Sequence, residues 1–377
     1  MNSVKIINYF KIRSKPLNIA ISGLSNSGKT TIFNALTGLS VETTIYASVT
    51  EAPHRGSVKV PDERVDWLAG VFKPKKTTHS TIEYTDFIGL TRGDADNNRK
   101  VLDTLKDADA IVDVLRAFDD PAVMHPDNSV DPLRDARTLE VEWVLSDLEL
   151  VEKRLTRMAD SARRGKKPDE TEKKLLVKCK EHLENEHPLR TLSLAPDEWK
   201  SLRHLQFVSA KPRLIVLNIA EDDIGKSKVG ELVVAIAEAL QCKPQHIIPL
   251  CGKIEMEIGQ LQPDEARDFL SDLGITEPAC NRLISVCYEA LELISFLTVG
   301  EDEVKSWTIN RGSSAVAAAG KIHSDIERGF IRAEVVSYDA FKAAGSMAEA
   351  RKHGSVTLQG KTYLVQDGDI VNFRFNV

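Results

Sequence analysis

Residues Gly23-Leu24-Ser25-Asn26-Ser27-Gly28-Lys29-Thr30 fit the pattern G-x-x-x-x-G-K-[ST] in full. These types at this spacing make a loop that cradles phosphate, a P-loop. Gly23 and Gly28 let the backbone turn so that N–H groups, Asn26, Ser27 and Gly28 among them, point inward at phosphate oxygens. A helix beginning near Lys29 adds its positive N-terminal end. Lys29 supplies a point charge at the β- and γ-phosphates, and the Thr30 hydroxyl a ligand for Mg²⁺. Thr31 follows within reach of the α-phosphate.

A second pattern, Asp86-Phe87-Ile88-Gly89, lies downstream. D-x-x-G is uninformative alone and gains meaning from its order after a full P-loop. Asp86 is then expected to hold Mg²⁺ through water, and the Gly89 N–H to meet the γ-phosphate. Between the two patterns Thr50 stands where a hydroxyl would complete the Mg²⁺ shell when the γ-phosphate is present. Lys29, Thr50 and Gly89 are the residues expected to act on the γ-phosphate, and Thr30, Thr50 and Asp86 those expected around the metal.

Base recognition falls to Asn218-Ile219-Ala220-Glu221. The common guanine reader is N-K-x-D, whose Asp accepts from guanine N1–H and N2–H₂. Here the acid is Glu221, one methylene longer, and Ile219 replaces the Lys. Asn218 can reach N7 of either purine, so adenine and guanine both stay open. Gly252, in Cys251-Gly252-Lys253, sits where a further loop beside the base is expected.

The surrounding pattern positions these residues. Leu17–Ser22, Thr81–Phe87, Ala110–Leu115, Arg213–Asn218 and His246–Leu250 are short apolar runs separated by helical stretches, which predicts a parallel α/β sheet. Val141, Val144, Leu148, Val151, Leu155 and Met158 step by threes and fours, a helical stripe. The turn Arg163–Pro168 and a second helical stretch over Asp169–Glu186 complete an α-hairpin with a basic tip. From about Leu291 short strand-like runs recur at Trp307–Ile309, Phe330–Val336, Ser355–Leu358, Thr362–Val365 and Ile370–Phe375, predicting a small β-rich module. No internal repeat is evident.

The chain has 377 residues, 42% hydrophobic and 28% charged, the balance of a globular protein of two or three domains. No run approaches the roughly 18 apolar residues of a bilayer span. Residues 1–16 lack a long apolar core and a small-residue cleavage site, so they read as an extension rather than a leader. The five cysteines form no Cys-x-x-Cys pair, which suggests free thiols in a reducing compartment. A net charge of −6 argues against a general nucleic-acid coat but leaves room for a local basic patch.

GLSNSGKTT, VPDERVDWLAGVFKPKKTTHSTIEYTDFIGL, NIAE and the closing GFIRAEV…QDGDIVNFRFNV together resemble YchF proteins, the Obg-related P-loop NTPases. The resemblance covers nearly all of the chain after Leu17. It implies an α/β fold: a Ras-like P-loop NTPase domain with an inserted α-helical hairpin, a coiled coil, and a C-terminal β-grasp TGS domain. The expected limits are an extension at 1–16, the NTPase domain at 17–137 and 208–290, the hairpin at 138–207 and the TGS domain at 291–377. It also implies that Asn218 and Glu221 form an N-x-x-E base motif suited to ATP. Leu90 stands where many GTPases carry a water-orienting Gln, so slow turnover is expected. Asn26 matches the P-loop Asn of K⁺-stimulated relatives, which suggests K⁺ as an activator.

The implied activity is hydrolysis of ATP, or GTP, in a slow switch linked to translation or stress. A GTPase of the same fold, or a nucleotide-bound regulator with little hydrolysis, are the alternatives. The implied partners are the ribosome, through its large subunit, and RNA. Arg154, Arg157, Arg163, Arg164, Lys166 and Lys167 of the hairpin are candidate phosphate contacts. No membrane partner and no DNA specificity are expected, and a cytoplasmic monomer is. The sequence departs from the family pattern at Ile88, over Thr91–Arg99 and in the switch segment YASVTEAPHRG, where hydrolysis is controlled.

Overall fold

The structure, a computed structural model, describes residues 17–42, 53–91 and 94–376. Thr50 lies outside them. Contacts divide the chain into two compact units, one holding Leu17–Val58 and Glu83–Val286, the other Lys59–Ile82 and Cys287–Val377.

The strands in chain order are β1 (Leu17–Ser22), β2 (His54–Lys59), β3 (Lys76–Thr78), β4 (Thr81–Asp86), β5 (Ala110–Ala117), β6 (Arg213–Ile219), β7 (Ile247–Leu250), β8 (Leu293–Thr298), β9 (Glu303–Asn310), β10 (Phe330–Ser337), β11 (Thr357–Gln359) and β12 (Asp369–Phe375). The first sheet has the order β2-β4-β1-β5-β6-β7. Its β1, β5, β6 and β7 are parallel neighbours, with Ser22 beside Asp113 and Arg116 beside Asn218. β5 and β6 are buried almost throughout, as central strands of a parallel sheet are.

The helix after the P-loop, α1 (Lys29–Thr37), starts from Gly28 at φ +91°. The next helices are α2 (Glu63–Phe72), α3 (Ala95–Leu105), α4 (Pro132–Arg163) and α5 (Glu170–Glu184). α4 begins at Pro132, six residues before the expected start of the hairpin. The reason is local: the Asp131 carboxylate accepts from the Arg134 N–H, and Pro132 occupies the first turn, where its missing N–H is harmless. The first half of α4 buries Ala136, Leu139 and Trp143 against the sheet. Its second half pairs with α5 through Val151, Met158, Leu175, Leu176 and Cys179.

A buried ionic cluster fastens α4 to the sheet. Arg213 on β6 donates to Asp113 on β5 and to Glu140 on α4. Arg190 also donates to Glu140, and Trp143 Nε1 donates to Asp113. One turn further on, both oxygens of the fully buried Asp147 accept the N–H groups of Val208 and Ser209.

The second unit is built on the sheet β11-β10-β12-β8-β9-β3. Alternation along its strands serves two cores. Phe296, Val335 and Val371 meet the small face Ala315, Ala318 and Ala319 of helix Ala315–Ile322, while Leu297, Val336 and Ile370 meet Val65 and Leu68 of α2 and Phe341. Residues 59–82, expected within the NTPase domain, therefore pack with the C-terminal unit. α2 buries its apolar face there, and β3 extends that sheet beside β9. The Arg64 guanidinium binds both Asp62 and Asp367. The run Thr362–Val365 is not a strand. It makes a single bridge, Ser314 to Leu364, and Tyr363 donates its hydroxyl to Asp369 at the start of β12.

Removing Arg213 leaves Asp113, at 0% exposure, a buried acid without its ionic partner. Arg213→Met should cost about 3–5 kcal/mol, read as a lowered urea midpoint. A midpoint within experimental error of the parent would show that the cluster does not carry that load.

Candidate functional site

The carboxyl ends of β1, β4, β6 and β7 converge on one cleft of about 1130 Å³, the position where open α/β sheets bind ligands. Its walls include Gly28, Lys29, Thr30, Asp86, Asn218 and Glu221. The structure thus brings the phosphate and base residues, remote in sequence, into one cavity.

The loop geometry is that of an anion cradle. Gly23 and Asn26 have positive φ, +142° and +61°, ahead of Gly28. A side chain at Gly28 would be strained, and its Cβ would fall 2.3 Å from Asn218 Nδ2. Lys29 is only 7% exposed, and its ammonium donates to the Leu24 carbonyl at 2.8 Å. Burial pushes this ammonium down to about 8, opposed in part by the charge of Asp86. Thr30 Oγ1 donates to Asp86 Oδ2 at 2.8 Å. The other oxygen, Asp86 Oδ1, is buried without a hydrogen-bond partner. Burial raises the pKa of Asp86, against the Thr30 hydrogen bond and the Lys29 charge. Thr30 and Asp86 therefore present oxygen donors side by side, with one carboxylate oxygen unsatisfied.

Gly89 packs over the loop. A Cβ there would lie 2.6 Å from Lys29 Nζ and 2.7 Å from Ser25 N, so only glycine admits this approach. Leu90 pairs with the P-loop backbone: its N–H donates to Gly23 O, and its carbonyl accepts from Ser25 N, both at 3.0 Å. The Leu90 side chain is 0% exposed, in the core with Leu24, Leu102 and Trp143. Position 90 thus points away from the phosphate end.

At the base end Asn218 acts as a strut. Nδ2 donates to Ser27 O at 3.1 Å and Oδ1 accepts from Gly252 N at 3.0 Å. The expected contact with purine N7 can use only the second Nδ2 proton, and the Gly252 N–H is engaged within the protein. Glu221 is exposed at the start of a 3₁₀ turn on the cleft wall. Thr31 also lines the cleft, and the Ser27 hydroxyl is buried without a partner.

Residues 118–130, between β5 and α4, were not read as functional in the sequence. Asn26 Nδ2 donates to Met124 O at 3.0 Å, tying this loop to the P-loop. His125 is fixed between the Asp127 N–H, which Nδ1 accepts, and the Asp135 carboxylate at 2.8 Å from Nε2. Phe118 lies over the cleft wall with the Arg116 guanidinium 4.6 Å from its ring centre. No short motif marks these residues, since their partners lie on other elements.

Comparison with known proteins agrees with this geometry. A family model described as 50S ribosome-binding GTPase matches residues 18–146. The YchF GTPase C-terminal model, described as a protein of unknown function, matches residues 293–376. A Bacillus subtilis protein named ribosome-binding ATPase YchF is 41% identical over 364 residues, covering 96% of this chain and all of the relative. The chain belongs to the YchF family. A rice protein named Obg-like ATPase 1 is 38% identical over 373 residues, covering 97% of this chain and 93% of its own. The solved YchF GTPase of Schizosaccharomyces pombe superposes with a TM-score of 0.80 at 28% identity, covering 95% of this chain and 97% of that one. This YchF-family chain is accordingly a P-loop nucleotide-binding protein of mixed α/β fold. Among its described residues no helix is long and apolar enough to cross a membrane.

The buried ammonium makes a pH prediction. In the free protein Lys29 loses its proton as pH rises through about 8. A bound phosphate favours the charged form, so binding above that pH must take up about one proton and affinity must fall with further rise in pH. Calorimetry at about pH 9 in two buffers of different ionisation heat checks this. Identical heats would remove Lys29 as the titrating contact.

Proposed function

We propose that this chain is a Mg²⁺-dependent ATPase switch that works on the ribosome. The observation that carries it is that the Lys29 ammonium, the hydrogen-bonded Thr30–Asp86 pair and Glu221, the groups expected at phosphate, metal and base, line one cleft. Relatives aligned over nearly the whole chain are named ribosome-binding ATPases, which supports the same reading. Thr30 and the unsatisfied Asp86 Oδ1 suit a hard cation that takes oxygen ligands, as Mg²⁺ does. Thr50 is assigned to the same metal from its place in the sequence. For K⁺, the Asn26 amide nitrogen is engaged by Met124, which leaves Oδ1 as the atom to bind it.

Glu221 and Ile219 favour adenine over guanine. Hydrolysis of ATP and GTP, with ribosomes and Mg²⁺, in KCl and in NaCl, tests this. ATP should lead in kcat/KM by about tenfold or more, roughly 1.4 kcal/mol. A lead for GTP would make Glu221 a long Asp and the chain a GTPase. Equal rates in the two salts would remove K⁺. Tight binding without turnover would leave a nucleotide-bound regulator.

The ribosome contact is assigned to the hairpin tip. Arg157, Arg163, Arg164, Lys166 and Lys167 are all exposed there, in a chain of net charge −6. Arg154 is not among them: two of its nitrogens donate to Glu172, each at 2.8 Å. A basic tip suits RNA phosphates, and the 50S in the family description points to the large subunit. Replacing Arg163, Arg164, Lys166 and Lys167 by Ala should weaken ribosome binding. It should also lower the slope of log affinity against log salt by about 0.7–0.9 for each phosphate that is no longer neutralised. An unchanged slope would place the ribosome-binding surface elsewhere. We assign the protein to the cytoplasm, because relatives aligned over nearly the whole chain are named ribosome-binding.

A further inference from the structure

In a switch of this kind the attacking water is commonly oriented by the residue after D-x-x-G. Here that residue is Leu90, with its side chain in the core. Two hydroxyls border Gly89 instead. Ser25 Oγ lies 3.1 Å from Thr91 Oγ1, and both residues line the cleft. Gly89 packs so close to the Ser25 backbone and Lys29 Nζ that a Cβ there would clash with both, which places the pair at the Lys29 end of the cradle.

Both hydroxyls are held. Ser25 is fixed by the backbone pairing of the P-loop with Leu90, and its Oγ also lies 3.5 Å from Leu90 O. Thr91 is gripped by Asn98, which is 3% exposed. Asn98 Oδ1 accepts the Thr91 N–H, and Nδ2 donates to the Thr91 carbonyl, each at 3.0 Å. Asn98 Nδ2 also reaches Glu142 on α4 at 3.4 Å. With Ser25 donating to Thr91, the Thr91 O–H and lone pairs on both oxygens are left for a water molecule.

We propose that the Ser25 and Thr91 hydroxyls together orient the attacking water, with Asn98 as the positioning residue that holds Thr91. The proposal rests on the reading that the chain hydrolyses a nucleoside triphosphate. The water oxygen forms its bond to the γ-phosphorus as the bond to the β,γ-bridging oxygen breaks. The nucleoside diphosphate leaves with that electron pair, and the proton of the water passes to a γ-phosphate oxygen. The hydroxyls accept and donate hydrogen bonds throughout and are not consumed.

The test is single-turnover ATP hydrolysis by the full chain with ribosomes, alongside nucleotide affinity from a fluorescent ATP analogue. The variants are Ser25→Ala, Thr91→Val, their combination, and Thr91→Ser, which restores the hydroxyl. Each hydroxyl-free variant should slow the chemical step by roughly ten- to a hundredfold while leaving affinity nearly unchanged. The double variant should be no slower than the worse single one, because the two groups act as a unit. Thr91→Ser should recover most of the rate. Rates equal to the parent would overturn the proposal while the ATPase reading stands. Faster rates would also overturn it, making the pair a restraint on the switch. A parent that binds ATP and never turns it over would bring down the ATPase reading and this proposal together.

Discussion

The ammonium of Lys29 is a charge held almost out of water, and much of the nucleotide unit serves to hold it there. One backbone carbonyl and the nearby Asp86 carboxylate are its support inside the protein. Desolvation of a charge costs free energy that such contacts only partly offset, which is why the pKa of the ammonium is lowered to about 8. A phosphate brings the missing negative charge. The positive φ angles at Gly23, Asn26 and Gly28 follow from the same need, since they aim backbone N–H groups at the place where that charge must go.

Such a site keeps its shape only if the loops around it are tied from outside. Asn218 joins the P-loop to the first residue of helix Gly252–Ile258 after β7, Leu90 joins it to the end of the D-x-x-G segment, and Asn26 joins it to residues 118–130. Each tie uses backbone polar groups, so each is specific in direction and sensitive to small shifts. The last leads through His125 and Asp135 into α4. α4 is in turn locked to the sheet by Arg213 and Glu140, and to the segment before β6 by Asp147. A buried cluster of this kind adds little net stability over a well-packed apolar core, but breaking one member is costly. It therefore fixes where the hairpin leaves the sheet.

The two sheets show different solutions to burial. β5 and β6 are buried almost along their length, as central strands of a parallel sheet are, and the few charged residues they carry are paired. In the second unit neighbouring residues such as Val335 and Val336 serve opposite cores. There α2, which lies far from the C-terminal residues in sequence, supplies part of the cover.

The sequence by itself located the P-loop, the D-x-x-G segment and the N-x-x-E stretch, which the fold brings to one cleft. In each a contiguous stretch must carry fixed residue types for the backbone to turn or the charge to reach its target. The main parallel strands and the hairpin were legible for a similar reason: apolar runs and a helical stripe are local patterns. Tertiary structure decided the rest. Asn218 could be read as a base contact but not as a strut, because Ser27 and Gly252 are distant in sequence. Asn26–Met124 and Ser25–Thr91 leave no motif, since each pairs ordinary residues across tens of positions. Thr362–Val365 has the composition of a strand yet lies in a loop. The membership of α2 was likewise invisible, because an amphipathic helix shows that it has an apolar face but not which core that face will cover.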